Sequence, residues 1–166
     1  MKRFNDPKYS GSAYSADNGL WLGILPDLLI SDLIHPMSIP TTLEGFDVTG
    51  AVDRMLGRPD LWWQALGLFL NHFEDWEKAW GASIGDDAAE RGQVHALGSA
   101  AANVGAMTLS ADARALERAL VARMGGNGAA VDEAMRMRLQ VAFRATWSAA
   151  DAARRQAAQA DAGGHS

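Results

Sequence analysis

Four stretches of the chain repeat apolar residues every three or four positions, the spacing that gathers them on one side of a helix. The first runs from Pro59, where Trp62, Leu66, Phe69, Leu70, Phe73, Trp76 and Trp80 keep the interval and a proline suits the first helical turn. Gly81 to Asp87, rich in glycine and aspartate, reads as a turn. A second helix is predicted from near Ala88 to about Thr108, with Leu97, Ala100, Ala101, Val104 and Met107 on its core side. Ser110 is placed to cap a third helix, whose stripe is Ala113, Leu116, Leu120, Val121 and Met124 and whose end is Gly125-Gly126-Asn127-Gly128. The fourth starts near Ala129, buries Val131, Met135, Leu139, Ala142, Phe143, Thr146 and Trp147, and is expected to fray past Arg155.

Upstream, the pattern is shorter. Phe46, Val52, Met55 and Leu56 predict a brief helix ended by Gly57, and Leu29, Ile30, Leu33 and Ile34 predict another from Pro26 to Ile34, stopped by Pro36. That second segment is expected to pack on the domain that follows it; a docking or dimerisation role is the other reading. His35 to Thr42 is a linker by composition, and Met1 to Asn18 is polar and turn-rich, an expected flexible arm. Nothing reads as a strand. The expected fold is all-α, an antiparallel up-down four-helix bundle with additional short N-terminal helices. In numbers, 1–43 is the arm with its short helix, 44–156 the bundle and 157–166 a frayed tail.

Composition narrows what such a chain does. Its 166 residues suffice for one domain with a real core, and the absence of cysteine removes disulfides and thiolate metal sites and fits a reducing compartment. A formal charge of −5 argues against a nucleic-acid backbone as partner. The apolar run from Leu20 to Ile34 is broken by Pro26, Asp27 and Asp32, which suits neither a membrane span nor a signal peptide. Six tryptophans could suggest a stacking platform, but at helical spacing they read as core and rim. His35 has no ligand partners at useful spacing, His72, just off the apolar stripe beside Glu74 and Asp75, reads as a surface histidine, no HExxH pair is present, and no glycine-rich phosphate loop follows a strand, so neither a metal nor a bound cofactor is expected.

His95 stands apart. On the second predicted helix it lies opposite the core stripe, among Arg91, Gly98, Ser99 and Ala102, so that small residues frame the imidazole and leave room for another protein to reach it. The run His95-Ala96-Leu97-Gly98-Ser99-Ala100-Ala101-Ala102-Asn103-Val104-Gly105-Ala106 resembles, without a gap, the signature of the histidine phosphotransfer (HPt) domain of multistep phosphorelays. The likeness continues through Leu109 to Glu117, and upstream through Gly45-Phe46-Asp47-Val48, Arg54 to Gly57 and Leu61-Trp62, covering about two thirds of the chain. Two positions depart from the family: its lysine three residues after the histidine is Gly98, and its next glycine is Ser99.

The resemblance implies a four-helix bundle and a phosphocarrier, not an enzyme. It implies that His95 accepts a phosphoryl group from a receiver-domain aspartate, supplied by a hybrid sensor histidine kinase or another response regulator, and relays it onward. The receiver would bring the Mg²⁺ and most catalytic groups. Arg91, one turn before His95, could supply the charge that Gly98 lacks, and the Ser99 hydroxyl could contact phosphate oxygens, since positioning and charge carry phosphoryl transfer. Gly98 and Ala102 would line the docking face. Asn103, about 80° around the helix from His95, reads as structural. A monomeric, cytoplasmic protein that binds neither nucleic acid nor membrane is expected. The competing class is a helical docking module that binds receivers or kinases without accepting phosphate.

Overall fold

The computed structural model describes residues 38–127 and 131–163, and every regular element among them is helical. In chain order these are α1 (Val48–Arg54), α2 (Pro59–His72), α3 (Trp76–Ser83), α4 (Asp87–Val104), α5 (Met107–Met124) and α6 (Glu133–Gly163). The arm, the Pro26–Ile34 segment and His35 lie outside the described residues. No described helix is long and apolar enough to cross a membrane.

The tryptophan-rich helix is two helices. α2 stops at His72, and Phe73 to Asp75 form a turn before α3. Because Phe73 and Trp76 are both buried, the apolar stripe runs on unbroken across the turn, and periodicity alone could not reveal it. The tryptophans are core, as their spacing suggested: Trp62, Trp63, Trp76 and Trp80 are buried, with Trp76 and Trp80 stacked at 4.9 Å. Two of them also tie α2 and α3 to α4. Trp62 Nε1 donates to the Val104 carbonyl at 3.0 Å and Trp76 Nε1 to that of Gln93 at 3.3 Å. These pairings run α4 antiparallel to the α2–α3 line.

α4 begins at Asp87 because the Asp86 carboxylate accepts from the amides of Ala88 and Ala89, at 3.1 and 3.0 Å, satisfying donors that a first turn leaves open. Its other end is Gly105 at φ +85°, in the left-handed region. There the chain before α1 docks on the corner between α4 and α5. Asp47 N donates to Gly105 O at 2.7 Å, Met107 N donates to Gly45 O at 3.0 Å, and Phe46 and Ala106 form an isolated antiparallel bridge. A Cβ on Gly105 would stand 2.4 Å from the Asp47 carbonyl oxygen, so both the backbone angle and the space demand glycine. Gly105→Ala is expected to cost roughly 2–3 kcal/mol, combining left-handed strain with overpacking, measurable as a lower urea midpoint at unchanged slope.

α5 starts at Met107, three residues before the cap expected at Ser110. Ser110 is interior and buried, and its hydroxyl donates to the Gly98 carbonyl of α4 at 3.0 Å. The hydroxyl therefore joins two helices and caps none. Met107, Val121 and Met124, expected inside, are exposed, while Leu109, Ala113, Leu116 and Leu120 form the buried side. The glycine turn after Met124 is as expected, with Gly126 at φ +76°.

α6 begins later and ends later than its apolar stripe suggested. Asp132 precedes it, and its carboxylate accepts from Ala134 N at 3.0 Å. The helix then holds to Gly163, where fraying past Arg155 was expected, because alanine-rich sequence has the highest helix propensity even without large side chains to bury. Ala150 and Ala153 are buried. α6 runs antiparallel to the α2–α3 line, with Phe143 beside Trp76 at 4.9 Å and Trp147 beside Phe69 at 6.4 Å. Toward its start, Arg136 enters the interior and meets Glu90 of α4.

Candidate functional site

α4 and α5 face each other antiparallel across a seam of polar contacts. At one end Ser110 meets Gly98; at the other Arg123 Nε donates to Asp87 Oδ2 at 2.7 Å, with Nη2 on the second carboxylate oxygen. Between them lies His95, its side chain 62% exposed, with Nδ1 2.9 Å from Glu117 Oε1 of α5. In a neutral imidazole, an Nδ1–H that donates to this carboxylate leaves the lone pair on Nε2, which has no partner among the described residues. Arg91 Nε is 3.8 Å from the same Oε1, which puts a cation one turn from the histidine, as expected, but on Glu117.

The other expected site residues divide. Ser99 is exposed and Ala102 half-buried on the face that carries His95. Arg54, from the end of α1, donates to the Ala102 carbonyl at 3.0 Å and so joins this face. Gly98 does not belong to the open face. It is buried, because it points about 60° to the side of His95 on which α5 packs. A Cβ there would stand 3.0 Å from the Ala113 Cβ, so Gly98 sets the close approach of the two helices. Asn103 is exposed. His72 is exposed too, with its ring edge against Phe73 at 4.8 Å, in keeping with a surface role.

Glu117 was the residue that sequence reading passed over. It falls inside the stretch resembling the family's next helix, but its bond to His95 spans 22 residues and leaves no local mark. No protein-family model matches the chain, and no curated protein or solved structure matches it. Among the described residues no cluster of His, Cys, Asp or Glu could hold a metal ion.

The Asp87–Arg123 contact makes the seam acid-sensitive. The guanidinium of Arg123, by hydrogen bonding first and charge second, holds the Asp87 carboxyl below its ordinary value. A carboxyl depressed in the folded state stabilises fully above its unfolded pKa, about 3.9, and loses that contribution as pH falls through the lower folded value. Asp87→Asn should therefore lower the urea midpoint at pH 7 and converge on the parent as pH drops below about 4. A gap that stayed constant down to about pH 2.5 would contradict this account of the seam.

Proposed function

We propose that the chain is a histidine-containing phosphotransfer protein: α2 with α3, α4, α5 and α6 make an antiparallel up-down four-helix bundle, and His95 carries a phosphoryl group between receiver-domain aspartates. The observation that carries this reading is the exposed imidazole whose Nδ1 is bound to Glu117 Oε1 at 2.9 Å while Nε2 stays open. It sits within the ungapped run from His95 to Ala106 that resembles the HPt signature.

In the proposed step the Nε2 lone pair attacks the phosphorus of a receiver's aspartyl phosphate in line. The P–O bond breaks, its electron pair returns to the aspartate carboxylate, and the new bond is P–Nε2. The ring keeps its Nδ1 proton and becomes cationic, so the bond to Glu117 turns into a charge-assisted one just as the phosphoryl group arrives. Reversal onto a second receiver restores the neutral ring. The chain contributes a held tautomer and an approachable nucleophile; Mg²⁺ and the remaining catalytic groups belong to the receiver. The open face beside His95, with Ser99 and Ala102 presenting small side chains, would admit such a partner. Partners in this reading are receivers and the hybrid sensor histidine kinase that charges them, met by a cytoplasmic monomer.

The test is chemical. A receiver charged with labelled acetyl phosphate should transfer label to the chain in a form lost in acid and stable in base. A receiver that binds the chain yet never labels it would replace the carrier with the docking module.

A further inference from the structure

A phosphoryl group on His95 Nε2 would bring about two negative charges to a surface that already holds the Glu117 carboxylate, on a chain whose formal charge is −5. Cations must offset this repulsion. Position 98 supplies none, being glycine, and a side chain there would press on α5: the Cβ site is a tight 3.0 Å from Ala113 Cβ, with Ser110 O at 3.9 Å and Arg114 N at 4.0 Å. Arg91 is turned to Glu117. The last neighbour of the Gly98 site is the informative one, for the backbone of Arg114 passes beside it and the Arg114 side chain is exposed.

Arg118 follows Arg114 by one turn on the same exposed side of α5, and Glu117, which holds His95, lies between them in sequence. Neither guanidinium has a hydrogen bond or ion pair among the described residues, a state shared with Arg138 and Arg154 on other faces, whereas Arg58, Arg91, Arg123, Arg136, Arg144 and Arg155 are all engaged with carboxylates. The nearest acidic residue in the α5 sequence besides Glu117 is Asp112. It lies on the opposite flank, lining a groove with Met137, Arg138 and Val141 of α6.

We propose that Arg114 and Arg118 form the cationic side of the phosphoryl site, attracting the anionic donor and offsetting the charge of the group once it is on Nε2. This deepens the phosphocarrier reading and rests on it. A lysine at position 98 would act from α4; here the neighbouring helix does the same work, and the glycine at 98 is what lets that helix come near enough.

The test uses the full chain and phosphoramidate, a small anionic donor that needs no partner protein. Nε2 bonds to phosphorus, the P–N bond breaks, and ammonia leaves with the electron pair. Acid-labile phosphate on His95 is then followed with time, in the parent, in Arg114→Gln/Arg118→Gln, in Arg114→Lys/Arg118→Lys and in Arg138→Gln. The double glutamine variant should be phosphorylated about tenfold more slowly, and its rate should no longer fall between about 0.02 and 0.5 M salt. The double lysine variant should keep both the rate and its salt dependence, and Arg138→Gln, on the far flank, should stay within about twofold of the parent. Equal rates and equal salt dependence in the parent and the double glutamine variant would overturn this proposal alone. A parent whose His95 takes no phosphate would overturn it together with the carrier reading.

Discussion

Arg136→Ala is expected to destabilise the protein by about 3–5 kcal/mol, enough to lower the melting temperature by on the order of 10 °C. Glu90 is fully buried, and both of its carboxylate oxygens accept from one guanidinium, Arg136 Nε and Nη2 each at 2.8 Å. Arg136 is itself only 12% exposed, and the Glu90 carboxylate, through hydrogen bonding above all, raises its pKa further above an already high value. The guanidinium is therefore charged across the accessible pH range. Removing the arginine would strand a carboxylate in the core, and the cost of that exceeds anything the pair contributes in place. The control is Glu90→Leu/Arg136→Met, which removes both charges while keeping volume and should recover most of the loss. If the double variant were as unstable as Arg136→Ala, the penalty would come from packing and not from a stranded charge. The pair also bears on the site. Glu90 points inward to α6 while the next residue, Arg91, points outward to Glu117, so the buried ion pair fixes how α4 is rotated about its axis and which face His95 presents.

Much of this was legible in the sequence, and the exceptions share a cause. Stripes of large apolar residues located α2, α4 and α5 to within a few positions, since each helix must bury one side to be stable. They missed the turn at Phe73 because the stripe does not lapse there, and they placed the end of α6 too early because alanine sustains a helix without marking a face. Ser110 was misread because a capping hydroxyl and one that bonds a neighbouring helix look identical along the chain. Gly98 was misplaced for a related reason. A helical wheel separates core from surface, but it does not know which flank the next helix will cover. Glu117 and the Arg114–Arg118 pair follow from the same packing of α5 on α4, and such contacts exist only after the chain has folded back on itself.

His95→Gln should abolish phosphate acceptance while leaving stability within about 0.5 kcal/mol of the parent, the range usual for exposed substitutions. Glutamine keeps a polar side chain that can still donate to Glu117, so the seam between α4 and α5 survives; what is lost is the nucleophilic ring nitrogen. A labelled variant would show that the phosphate goes elsewhere, and a variant that unfolds would show that the ring has a packing role its exposure does not suggest. Glu117→Ala separates the histidine from its support. Without the carboxylate, the ring is free to rotate and to take its proton on either nitrogen, and the positive charge that forms on phosphorylation loses its partner. Transfer should fall on the order of ten- to a hundredfold without vanishing, by analogy with the loss of a residue that orients a reactive imidazole elsewhere. Glu117→Gln keeps a carbonyl that can accept from Nδ1 but not the charge, and it should fall between the two. The order parent, Glu117→Gln, Glu117→Ala, His95→Gln in initial labelling rate is the expected result. If Glu117→Ala matched the parent, the contact at 2.9 Å would be a feature of the resting surface and not of the reaction.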